Sequence, residues 1–121
     1  MTPEGAVKTA HAKYLQAISC VPAAKAALAT KAHKGYYFDP VPTGMGVGGV
    51  HDRQGHFMGR YFSIEYKAPG RRGEENRGMT PQQKHQLDAI NLSGGFAMVY
   101  DGGEDDRVKF EGWVRECNQK S

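Results

Sequence analysis

Cysteine is nearly absent: Cys20 and Cys117 are the only two, and they do not form a CxxC pair. That scarcity excludes a disulfide framework and gives no support to a cysteine zinc site, leaving two reduced thiols at packing positions as the expectation. Long apolar runs are also missing, since none approaches the roughly 18 residues that a membrane span needs. The opening MTPEGAVKTA has neither the basic start nor the apolar stretch of a signal peptide. The chain is therefore expected to stay in the cytoplasm, off the membrane. There is no internal repeat and no low-complexity segment. With 121 residues the chain is long enough for one core and too short for two, so residues 1–121 read as a single domain.

Apolar residues make up 39% of the chain and charged residues 24%, the balance of a folded protein rather than a disordered one. A net charge of +3 suits an anionic partner without requiring one. The 16 glycines cluster. Gly44, Gly46, Gly48 and Gly49 fall within PTGMGVGGVHD, and that density lets a backbone approach a ligand or another chain closely.

Thr2 as cap, Pro3 at the first helical position and Glu4 in the first turn mark a helix start, and Ala6, Val7, Ala10, Tyr14 and Ile18 repeat at helical spacing. The alanine-rich run AAKAALATKAHK predicts a second short helix or helical turn. GYYFDPV reads as an edge strand, because Pro40 and Pro42 are unsuited to an interior one. GHFMG and RYFSIEYKAP predict a hairpin turning at Gly59-Arg60, followed by the charged loop GRRGEENRG. TPQQKHQLDAINLSGG carries the cap, proline and terminal glycine of a further helix, FAMVY is a short buried strand, and EDDRVKFEGWVREC a closing helix. The order predicts an α/β fold: a small mixed sheet flanked by helices.

In the strand YFSIEYK, alternation puts Phe62, Ile64 and Tyr66 on one face and Glu65 with Lys67 on the other. Two opposite charges on the middle of a core strand are open to two readings. One is a structural ion pair, which often stabilises no more than apolar residues of the same volume. The other is a metal-dependent site, which needs a further carboxylate. Asp52 lies thirteen residues upstream of Glu65, and a turn near Gly59 would fold it back beside Glu65. A lysine next to such a pair can orient the attacking water. His51 and His56 invite a histidine-aspartate metal site, but that chemistry needs further histidines and aspartates on helices.

GGVHD, GRYFSIEYKAPG, TPQQ and SGGFAMV follow one another in an order that resembles the virus-type replication-repair nuclease (VRR-NUC) family of the PD-(D/E)XK nuclease superfamily. TPEGAV at the start and PVPTGMG in the glycine loop extend the similarity over nearly the whole chain. The departure is His51, where the family usually has proline before the aspartate.

The resemblance implies a restriction-endonuclease-like core and a magnesium or manganese ion held by Asp52, Glu65 and the main-chain carbonyl of Tyr66. It further implies that Lys67 positions the water nucleophile, that Gln83 supports the site from its helix, and that Glu4 approaches from the N-terminal helix. Gln83 also stands at capping-box spacing from Thr80, and Glu4 where helix electrostatics alone favours an acid.

Arg71, Arg72, Arg77 and Lys84 are the candidate phosphate contacts, although Glu74 and Glu75 among them suit a solvated loop equally well. The implied activity is structure-selective endonuclease cleavage of branched DNA, like that of Holliday-junction resolvases, by a homodimeric stand-alone phage-type protein. The sequence does not identify the dimer surface; the N-terminal helices and Val108, Trp113 and Val114 on the closing helix are candidate contributors. The alternatives are a less selective DNA-processing or nicking nuclease, and a DNA-binding module whose nuclease site is inactive or needs a partner.

Overall fold

The computed structural model describes residues 1–41 and 46–120. The chain folds as α/β, with helices on both faces of a five-stranded mixed sheet in the order β1-β2-β3-β4-β5. The strands are β1 (Cys20–Pro22), β2 (Gly35–Phe38), β3 (Arg53–Phe57), β4 (Arg60–Tyr66) and β5 (Phe96–Tyr100), and the helices α1 (Pro3–Ala17), α2 (Pro81–Leu92) and α3 (Glu104–Gln119). β2, β3 and β4 are antiparallel to their neighbours in the series, whereas β1 pairs with β2 and β5 with β4 in parallel. No helix among the described residues is long and apolar enough to cross a membrane.

One face of the sheet carries the core. Tyr37, Phe57, Phe62, Ile64, Tyr66, Met98 and Tyr100 pack on Val7 and Leu15 of α1 and on Phe110, Trp113, Val114 and Cys117 of α3. Phe110 stands edge-on to Phe62 at 5.9 Å, and Trp113 stacks on Phe96 at 4.9 Å, the geometries that ring quadrupoles favour. Trp113 and Val114 are thus core residues; of the three candidates for a dimer surface on α3, only Val108 is exposed. Both cysteines are buried and free, as expected.

A polar network runs through this core. Arg53 is 3% exposed and grips Asp39 with both arms of its guanidinium, at 2.7 and 3.1 Å. Its Nη1 donates to the Lys8 carbonyl at 3.1 Å and to the Tyr66 hydroxyl at 2.9 Å, so α1, β2 and β4 are joined by one side chain. The Tyr66 hydroxyl in turn donates to Nδ1 of His11, which lies between the rings of Tyr100 and Phe110.

Burial, and then the Arg53 charge, lowers the His11 pKa to about 3. The folded state therefore resists a proton that the unfolded chain accepts near pH 6.5. Its contribution is fully present above about pH 6.5 and is lost as pH falls toward 3, about 5 kcal/mol at the limit. Replacing His11 with phenylalanine is expected to flatten that part of the acid-unfolding curve, which denaturant titrations across the range would measure.

Two local expectations are corrected and a third is narrowed. The run Cys20–Pro22 forms the edge strand β1, so β2 lies inside the sheet; β2 ends at Phe38, and Pro40 therefore never occupies the ladder. Of the two forms open to the alanine-rich segment it takes the lesser, helical turns in a 3-10 stretch, Ala23–Leu28, broken at Lys25. It has no apolar stripe to bury, and propensity alone does not sustain so short a helix. The hairpin turns at Met58-Gly59, both at positive φ, the two-residue turn whose twist matches that of the flanking strands. Within the glycine loop, the expectation for Gly44 lies outside the described residues.

Candidate metal centre

The tight hairpin sets the site. Arg53 pairs with Ile64, so Asp52, one residue earlier, stands opposite Glu65 at the open end of the hairpin. Asp52 Oδ2 accepts the Tyr66 N–H at 3.0 Å, which fixes its carboxylate beside the end of β4. Lys67 continues past the strand by donating its own N–H to the Tyr100 carbonyl at 3.1 Å. Asp52, Glu65 and Lys67 thereby converge on the face away from the aromatic core.

Gln83 completes the group and fulfils both roles open to it. Its backbone N–H donates to the Thr80 hydroxyl at 3.1 Å, and its Oε1 accepts the Thr80 N–H at 2.9 Å, a closed capping box at the start of α2. The same amide donates from Nε2 to Glu65 Oε2 at 3.1 Å, while Oε1 also accepts from Lys67 Nζ at 3.4 Å. Lys67 Nζ lies 3.4 Å from Glu65 Oε2, with both side chains largely buried.

A self-sufficient ion pair would satisfy its carboxylate, and this one does not. Glu65 Oε1 is buried with no hydrogen-bond partner among the described residues. Burial, followed by the adjacent Asp52 charge, raises the Glu65 pKa to about 8, against the opposing pull of Lys67. Two carboxylates pressed together, one with a bare oxygen, form an arrangement that a cation would relieve. Among the described residues no group of three or more His, Cys, Asp and Glu side chains is placed to hold a metal. Two carboxylates nevertheless match the needs of magnesium, which commonly takes one or two from the protein and keeps water or phosphate oxygens at its other positions. Glu4 is half-buried in the first turn of α1, and the structure assigns it no bond to Asp52, Glu65 or Lys67.

His51, whose role sequence pattern alone does not single out, links two elements beside the carboxylates. It is 1% exposed; Nε2 donates to the Gln83 carbonyl at 2.9 Å, so Nδ1 accepts the Ser63 hydroxyl at 2.8 Å. One neutral imidazole thus ties the first turn of α2 to β4, and burial lowers its pKa. Gly49 lets the loop come this close: its φ is +81°, and a Cβ there would lie 2.4 Å from the Gln82 backbone. Alternation places Ser63 on the Glu65 face, but nothing in the sequence shows that His51 reaches across to α2. His51→Ala would strand the Ser63 and Gln83 groups. It is expected to lower stability by about 1–3 kcal/mol, which denaturant titration of the variant against wild type would measure.

The four candidate phosphate contacts are all engaged within the protein. Arg71 pairs with Glu74 at 2.7 Å and Lys84 with Asp88 at 2.6 Å. Arg72 and Arg77 hold Asp101 at 2.9 and 3.2 Å, and Arg77 holds Asp106 at 2.7 Å. Despite its partial burial, the Asp101 carboxyl is held down at about 2 by Arg72 and the Gly103 N–H. These arginines fasten the charged loop to the start of α3. A groove of about 580 Å³ between α1 and α3 lies on the opposite face and contains none of Asp52, Glu65, Lys67 and Gln83.

Fold and site together describe an α/β domain with a carboxylate pair, a lysine and a glutamine converging at one end of its sheet. No family model, curated protein or solved structure matches the chain.

Proposed function

We propose that the chain is a divalent-metal-dependent DNA endonuclease that hydrolyses phosphodiester bonds, with branched DNA as its preferred substrate. The observation that carries the reading is Glu65: a buried carboxylate beside Asp52, with one oxygen lacking a partner among the described residues and the other touched by Lys67 and Gln83. The order of motifs resembling the VRR-NUC family supports the same chemistry.

In this reading Asp52 and Glu65, with the Tyr66 carbonyl, hold magnesium or manganese. Such an ion, when bound, neutralises phosphate charge and makes water a better nucleophile. The protein's own share is positional. Lys67 orients the water and stabilises negative charge as it develops, while Gln83 fixes the lysine and the glutamate relative to each other. His51 holds Gln83 in register. Glu4 and the four basic residues have no necessary part in this scheme. A homodimer suits a two-fold junction, with its surface outside the buried Trp113 and Val114.

Incubating the protein with linear duplex, flap and four-way-junction DNA, in magnesium or manganese and in EDTA, tests the proposal. Metal-dependent cutting with preference for the branched forms is expected. Equal cutting of every substrate would indicate a less selective nuclease, and binding without cutting a DNA-binding module; either outcome overturns the reading as stated.

A further inference from the structure

We infer that the open face of the sheet binds unpaired bases and leads a single DNA strand to the Asp52–Glu65 pair. The inference deepens the nuclease reading and rests on it.

β1 to β2 and β4 to β5 are both parallel connections that advance in the same direction across the sheet. Right-handed crossovers place their linking segments on one face. The 3-10 stretch Ala23–Leu28 and α2 therefore flank the face that carries Glu65. The buried Val21 points to that side, in register with Tyr36. Between the two segments the sheet is open over β2 and β3 and at Tyr61 of β4, while Ser63 and Glu65 further along β4 are covered by His51 and Gln83.

The floor of this strip is aromatic. Tyr36, His56 and Tyr61 are aligned across three strands, and Phe38 and Gln54 form the next row toward the carboxylates. Tyr36 and His56 stack at 6.0 Å with 23° between their rings, and Tyr36 lies 6.3 Å from Phe38. Phe38 is 39% exposed, Tyr61 40%, and His56 is also exposed. A solvated sheet face is normally polar. Flat rings on a sheet instead resemble the platforms on which proteins stack unpaired bases, because every base offers a π-face.

Position and charge fit that occupant. Tyr61, Ser63 and Glu65 follow one another on this face of β4, so Tyr61 lies roughly 13 Å from the catalytic carboxylate at strand spacing, a few nucleotides along a strand. Lys25, Lys31 and Lys34, on the connection that flanks the strip, are exposed and form no ion pair among the described residues. Arg71, Arg72, Arg77 and Lys84 are all paired. The cations free to meet phosphate therefore include those beside the aromatic floor. A duplex hides its base faces, whereas a single strand presents them.

Fluorescence anisotropy in EDTA, with a labelled oligothymidylate and a labelled duplex, provides the test. Tyr61→Ala and His56→Ala are expected to weaken single-strand binding by about five- to hundredfold each and duplex binding much less. Tyr61→Phe, which keeps the ring, should bind as wild type does, and thermal unfolding confirms that each variant is folded. Unchanged single-strand affinity in the folded alanine variants would overturn the inference. So would a wild-type dimer that these variants convert to monomer with binding intact, which would assign the face to a second copy. Because binding is read without cleavage, stacking by a protein that cuts no DNA would contradict the nuclease reading alone. Normal cutting and binding by the alanine variants would contradict the platform alone.

Discussion

Lys67→Ala is expected to lose cleavage by about a thousandfold or more while binding branched DNA with nearly wild-type affinity. The ammonium group lies 3.4 Å from both Glu65 Oε2 and Gln83 Oε1, close enough to hold a water against the carboxylate pair, and its side chain is only 10% exposed. Removing it has two separable effects. The charge that pulls the Glu65 pKa down disappears, so Glu65 holds its proton to higher pH. The group that orients the water in the proposed mechanism disappears as well. If only the first effect mattered, raising the pH would restore cutting by the variant. The account predicts no restoration, and a pH–rate profile of the variant measures the difference. Full cleavage by the variant, with contaminating nuclease excluded, would remove Lys67 from the mechanism.

Glu65→Gln is expected to abolish cutting and to stabilise the metal-free protein at alkaline pH. Burial first, then the neighbouring Asp52, raises the Glu65 carboxyl to about 8 from its ordinary 4.5. The folded state therefore keeps a proton that the unfolded chain releases. The Glu65 contribution to wild-type stability is fully present below about pH 4.5 and is lost as pH rises to about 8, by a few kcal/mol. Glutamine keeps the hydrogen-bonding shape and has no proton to lose, so the decline should vanish. Denaturant titrations in EDTA, from about pH 5 to about pH 9, compare the two proteins; identical slopes would mean that Glu65 is not the strained carboxylate described here. Added manganese should restore wild-type stability at high pH and leave the variant unchanged.

The parts of the site governed by local rules were readable from the sequence. Period-two alternation put Glu65 and Lys67 on one face, a glycine turn folded Asp52 back onto them, and capping-box spacing positioned Gln83. That Gln83 both caps α2 and contacts Glu65 was divided into rival readings, because one side-chain amide has enough donors and acceptors for both. The polar composition of RQGHF, unusual for a central strand, follows from position. Gln54 and His56 point to the open face, while Arg53 is buried against Asp39 and the Tyr66 hydroxyl.

What the sequence did not reveal depends on tertiary contact. β1 is three residues long and is a strand only because β2 lies beside it. The alanines of Ala23–Leu28 favour a helix, but without a face to bury the segment settles into a 3-10 stretch. His51 looked like background until its two nitrogens were seen to join β4 to α2. Arg72 and Arg77 looked available to phosphate because Asp101 and Asp106, their partners, lie more than twenty residues further along the chain.

Titrating manganese into the wild-type protein and into Glu65→Gln, followed by calorimetry above pH 8, tests the central claim most directly. The account predicts one ion bound per wild-type chain and none at that site in the variant. Equal binding by both, or no binding by a wild-type protein that still cuts DNA, would contradict it.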